Sequence, residues 1–210
     1  LSPVLNVMDA QGNELASEGY SGILEFSPIA DGEYYIKLYD FLYGGSELHY
    51  FQLTVSQRPH IDFVVPPIGK PGAKTRFTLF GRNLPDGQPS GLKLPNGREV
   101  YKKEVEIQLP ANADEKDPMK LFGKVNPQQM LLPSTQYRLD STNGPSNPIL
   151  IGLSNEKIVE ETTDNNDKPE NSQAIEVPCE FVGKFYPYAD KDYFHFEAKK
   201  DDTFWIEGFS

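Results

Sequence analysis

At 210 residues the chain has room for one large domain or two small ones. With 20 Lys+Arg against 31 Asp+Glu the net charge is −11, which argues against nucleic acid and anionic membrane as partners. A hydrophobic fraction of 38% and a mean hydropathy of −0.53 allow a buried core but no membrane span, and 18 Pro and 17 Gly beside 13 Phe and 11 Tyr favour short strands and tight turns over long helices.

Leu1 opens directly into a strand-like run with no basic stretch ahead of an apolar one, so no signal peptide is expected and the numbering is expected to start inside a longer protein. "VLNVMD" (Val4 to Asp9) reads as a strand, "AQGNE" as a turn about Gly12, and "GILEF" (Gly22 to Phe26) as a further strand. Asp31-Gly32 marks a turn into an alternating strand from Glu33 to Asp40. There Tyr34, Ile36 and Leu38 share one face and Tyr35, Lys37 and Tyr39 the other. "LHYFQLTV" follows, with Phe51, Leu53 and Val55 on one side. The composition shifts at "SQRPHIDFVVPP", which places a module boundary near Gln57.

Beyond it, strands are expected from Thr75 to Phe80 and within "REVYKKEVEIQL" and "STQYRLDS", whereas "LPANADEKDPMKLFGKVNPQQ" lacks a period and reads as a long loop. Residues Asn155 to Asn171 are acidic and polar and read as a solvated linker. Strand signals return in "CEFVGKFY", "DYFHFEA" and "TFWIEGF", with Tyr193 and His195 on one face and Phe194 and Phe196 on the other.

Catalytic signatures are missing. Gly19-Tyr20-Ser21-Gly22 lacks the second spacer and glycine of a nucleophile elbow, and Gly69-Lys70-Pro71-Gly72 lacks the spacing of a phosphate loop. His49, His60 and His195 fall on separate strands, and the lone Cys179 excludes an internal disulfide and any zinc site built on cysteine pairs. No enzyme contained wholly in this chain is expected. The alternative from another class is a hydrolase fragment with an acidic active site assembled from "DNNDKPE" and "YADKDY".

The C-terminal run "EETTDNNDKPENSQAIEVPCEFVGKFYPYADKDYFHFEAKKDDTFWIE" resembles the first half of a bacterial pre-peptidase C-terminal (PPC) domain, through Asn165, Asn166, Gly183, Asp190, Asp192, Tyr193, Phe194 and Phe196. The N-terminal run "SPVLNVMDAQGNELASEGYSGILEFSPIADGEYYIKLYD" resembles its second half. Between them, "PHIDFVVPPIGKPGAKTRFTLFGRNLPDG" and "YRLDSTNGPSNPILI" are similar to immunoglobulin-like TIG/IPT modules. The fold implied is all-β: a PPC-like jelly-roll β-sandwich assembled from both chain ends, plus an immunoglobulin-like sandwich. The implied divisions are 1–57, the second half of the PPC-like domain; 58–153, the TIG/IPT-like module; 154–177, an acidic linker; and 178–210, the first PPC half. Residues 178–210 are expected to pair with 1–57, either within one chain or by strand swapping in self-association.

The same resemblance implies a secreted, cell-surface or periplasmic setting. The role it implies is a non-catalytic accessory or adhesion module of a larger bacterial protein of peptidase type, binding an extracellular protein or polysaccharide or spacing domains. Collagen-binding relatives hold calcium with a Glu-x-Glu-x-Asn-Asp segment and with aspartates ahead of the Tyr-Phe-like strand. On that pattern Glu161, Asn165, Asp190 and Asp192 are the metal candidates, with Thr163 replacing the second Glu and Asn166 an Asp. An acidic linker with turn duties is the competing account of that segment. Those relatives also grip extended ligands with strand tyrosines, which makes Tyr35, Tyr39 and Tyr50 the ligand-binding candidates unless the TIG-like module covers them.

Overall fold

A computed structural model describes residues 3–19, 22–94, 97–112, 133–163, 165–184 and 190–208. The chain divides into two compact units, Leu1–Ser56 and Gln57–Ser210. It is all-β: among the described residues the only helical element is a single 3₁₀ turn, Pro169–Asn171, and no helix is long and apolar enough to cross a membrane.

In the first unit, β1 (Pro3–Met8) lies between β2 (Glu14–Glu18) and β3 (Tyr35–Asp40) in an antiparallel sheet. Its central position buries Val4, Leu5 and Val7, whichever face each side chain takes. The β1–β2 turn is stapled by Asp9, whose carboxylate accepts from the Gln11 and Asn13 amides at 2.9 and 2.8 Å and from Asn13 Nδ2 at 2.8 Å. These bonds, led by the one from the Asn13 side chain, hold the Asp9 carboxyl below its ordinary range. Gly12 supplies the left-handed φ of 84° that the turn needs. The expected strands "GILEF" and "LHYFQLTV" join no ladder, although their period is correct.

The second unit contains an antiparallel sheet in the order β4 (His60–Val65), β6 (Lys74–Arg82), β8 (Glu99–Gln108), β7 (Gln88–Lys93). A second sheet orders β5 (Ile68–Gly69), β10 (Ile149–Leu153) and β9 (Ser134–Tyr137). Ile61, Val64, Phe77 and Leu79 from the first sheet meet Ile151 and Leu153 from the second, with Leu84, Leu109 and Leu139 closing the cluster. This is sandwich packing, and the alternation along β6 produces it: Phe77 and Leu79 point inward while Arg76 and Thr78 face out. Gly81 lets β4 approach at its bulge, because a Cβ there would collide with the His60 carbonyl. Asn147 closes the loop over β4, accepting from the Ile61 amide at 2.7 Å and donating to the Ile61 carbonyl at 2.9 Å.

Residues 154–177, expected as a linker, hold β11 (Lys157–Glu160), the 3₁₀ turn and β12 (Gln173–Ala174). β11 runs parallel to β13 (Cys179–Val182), and β12 parallel to β14 (Phe194–His195). The short apolar pair Ile158 and Val159 carries little periodic signal, so the strand emerges only from its partner. The expected loop at 113–132 lies outside the described residues.

Candidate functional site

Two groups of side chains stand out, one in each unit. In the second unit Glu161 follows β11 directly, and its amide donates to the Val182 carbonyl at 2.9 Å, which extends the β11–β13 ladder. Asn166 is fixed from the other side, since its carbonyl accepts from the Tyr193 amide at 2.9 Å. Gln173 clamps the base of the loop by accepting from the Thr162 amide at 3.0 Å and donating to the Glu160 carbonyl at 3.0 Å. Two ladders thereby bring Glu161 and Asp192, distant in the chain, into one cluster.

Within that cluster Asn166 Nδ2 donates to Glu161 Oε1 at 3.2 Å, and Glu161 Oε2 accepts from the Lys184 amide at 3.0 Å. Asn166 is fully buried at 0% exposure, yet its Oδ1 has no hydrogen-bond partner, and neither has the buried Oδ1 of Asp192. Each unmet acceptor costs about 1–3 kcal/mol, so the arrangement is incomplete on its own. Burial first, then the charges of Glu161 and Asp190, raise the Asp192 carboxyl above its ordinary range.

Unmet oxygen acceptors beside crowded carboxylates are what a hard cation relieves. Among the described residues no three His, Cys, Asp or Glu side chains converge closely enough to hold a metal alone, so an ion here would depend on the amide oxygen of Asn166. Glu161, Asp190 and Asp192 belong to the cluster by these contacts and charges, whereas Asn165 is exposed, its amide donating to Thr163 Oγ1 at 3.1 Å in a local turn. The spacing "DNND" offers two adjacent asparagines, and Asn166 is the one held inward, by the Tyr193 backbone bond and by its own side-chain bond to Glu161.

In the first unit Tyr35 and Tyr50 are 50% and 88% exposed, and Tyr39 is half-buried. Tyr39 stacks on Tyr43 with centroids 5.2 Å apart and planes 19° from parallel, and Lys37 Nζ lies 4.9 Å from the Tyr39 ring centre. Tyr43 has a left-handed φ of 55°, a conformation that costs a non-glycine residue about 1 kcal/mol or more. Asp40 holds it there by accepting from the Leu42 and Gly44 amides at 3.1 and 2.9 Å.

The β1–β3 register sets Asn6 beside Lys37 and Val4 beside Tyr39, so Asn6 lies on the tyrosine-bearing face. Asn6 Nδ2 donates to Glu14 Oε2 at 2.6 Å and to Ser17 Oγ at 3.1 Å, while its Oδ1 is buried without a partner. Sequence reasoning missed Tyr43, Asn6, Glu14 and Ser17. The alternation of Val4, Asn6 and Met8 carried a signal for Asn6, whereas Tyr43 sits in a turn that has no period.

No protein-family model, curated protein or solved structure matches this chain.

Proposed function

We propose that this chain is a non-catalytic accessory unit of a larger exported protein of peptidase type, one that binds an extracellular protein or polysaccharide, spaces its neighbours and is braced by calcium. The observation that carries the reading is the aromatic surface of the first unit, where Tyr35, Tyr43 and Tyr50 are exposed and Tyr43 stacks on Tyr39. The calcium component rests on the oxygens of Glu161, Asn166, Asp190 and Asp192 and on the two unmet acceptors among them. In the same reading, strands from 1–57 and 178–210 complete one jelly roll, within a chain or by swapping between chains. In its support, Phe51, Val55, Trp205 and Ile206 are large apolar residues exposed in segments that alternate like strands but join no ladder.

Thermal unfolding in calcium and in chelator tests this reading. A native-state ligand at a hundredfold excess over its Kd adds about 2.7 kcal/mol, which for a chain of this size raises Tm by about 5 °C or more. Asn166→Ala removes the increase. Identical melting in calcium and in chelator would defeat the calcium component.

One observation favours a second reading. Burial, and then the neighbouring Glu161, raise the Asp192 carboxyl above its ordinary range, and a carboxyl shifted in that direction beside a second one is the arrangement a hydrolase uses for its general acid. Turnover of peptide or glycoside substrates that is abolished by Asp192→Asn would establish the hydrolase reading instead.

A further inference from the structure

The face of the β2–β1–β3 sheet that carries Lys37 and Tyr39, buried at its centre around Val4 and Asn6 and exposed at its margins, combines two features that a purely structural surface does not need. The first is an aromatic platform. Tyr39 is stacked on Tyr43 and has Lys37 Nζ over its ring, and Tyr43, 79% exposed and so the ring open to a ligand, is kept in a strained backbone conformation by the Asp40 turn. The second is a row of polar groups beside it. Ser17, Asn6 and Lys37 are register partners across the three strands, and the Glu14 carboxylate reaches Asn6.

Asn6 defines what such a face lacks. It is only 5% exposed, and its amide orientation is fixed, since the group 2.6 Å from the Glu14 carboxylate must be the donating NH₂. The orphaned atom is therefore an acceptor, Oδ1, with an acceptor carboxylate close by. A ligand completing this face must bring hydrogen-bond donors, together with a flat apolar surface for the tyrosines. An anionic ligand would meet Glu14 and a chain of net charge −11. Sugar rings provide hydroxyl donors on their edges and C–H groups on their faces, without charge.

We propose that this face binds a neutral polysaccharide chain. One sugar ring stacks on the Tyr39–Tyr43 platform, and its neighbour's hydroxyls reach the Asn6, Glu14 and Ser17 row. A site built around unpaired acceptors discriminates sharply against ligands lacking the matching hydroxyl. The inference rests on reading the chain as a binding unit and names the ligand class for that surface.

The test is calorimetric titration of the whole chain with cellohexaose, chitohexaose, laminarihexaose and mannohexaose, with polygalacturonate and a proline-rich decapeptide as comparison ligands. At least one neutral hexasaccharide is expected to bind, and Tyr39→Ala and Tyr43→Ala each to weaken it about tenfold. Tyr43 is exposed, so its variant leaves folding intact, which circular dichroism verifies. Glu14→Ala is expected to weaken the same ligand severalfold. Absence of binding to all four neutral sugars at millimolar concentration overturns the proposal, as does affinity unchanged in both tyrosine variants. Preferential capture of the decapeptide or the anionic polymer through these tyrosines overturns it too. A failed sugar titration with the calcium shift in Tm intact would sink this inference alone, because the metal cluster is built from residues 161–192.

Discussion

β3 and β6 alternate with the same period, yet they end in opposite circumstances. Along β6, Phe77 and Leu79 are completely enclosed by a facing sheet. Along β3, Tyr35 and Ile36, on opposite faces, are both largely exposed, and only the central strand of that sheet is well buried. Period therefore tells which residues share a face, whereas burial depends on whether another layer meets that face. The second unit has such a layer in β5–β10–β9, and the first unit owes its buried residues to the middle position of β1.

Substitutions can sharpen this contrast, beginning with the most damaging. Phe77→Ala empties the centre of the nine-residue cluster and should destabilise the second unit by about 3–5 kcal/mol, measured as a lower urea midpoint. If the loss were below 1 kcal/mol, the enclosed core would not be what holds this unit together. The next effect is conditional on pH. Burial, reinforced by Arg82 and opposed by Asp62 at 3.7 Å, depresses the His60 pKa below its ordinary 6.5. The unfolded chain then takes up the proton first, so stability is fully present above about 6.5 and declines as pH falls through that value toward the folded pKa. His60→Gln should flatten that part of the pH profile relative to the parent, and an unchanged slope would assign the decline to other groups.

The smallest effect belongs to the first unit. Tyr50→Ser removes a ring that is almost wholly in solvent and should change stability by less than about 0.5 kcal/mol. A drop of more than 1 kcal/mol would mean that the ring is covered in solution and that the contrast between the units is narrower than drawn.

Much of the second unit was legible because its strands are long enough for period to accumulate. The expectation from Thr75 to Phe80 falls inside Lys74–Arg82, and "REVYKKEVEIQL" contains Glu99–Gln108. Short strands were not legible: Lys157–Glu160 lies in an acidic run, and its four residues are held by the parallel ladder to Cys179–Val182. The reverse error came from "LHYFQLTV", which has strand chemistry and no ladder. At the candidate metal cluster, residue type and neighbourhood could be read from "DNND" and "ADKD", but the inward turn of Asn166 is fixed by a backbone bond to Tyr193, far along the chain. The polar row at Asn6 was hidden for a similar reason, since Ser17 and Lys37 join it only through register.

Trp205 is the sole tryptophan of the chain, and it is 83% exposed near the C-terminal end of the described residues. An indole this exposed is expected to emit near the long-wavelength limit, so melting of the Phe77 cluster should scarcely alter the fluorescence. A blue shift on raising the protein concentration, or on adding another polypeptide, would instead signal that something has come to rest on this indole. The chain thus carries a spectroscopic reporter for whatever covers its C-terminal segment, without any label being attached.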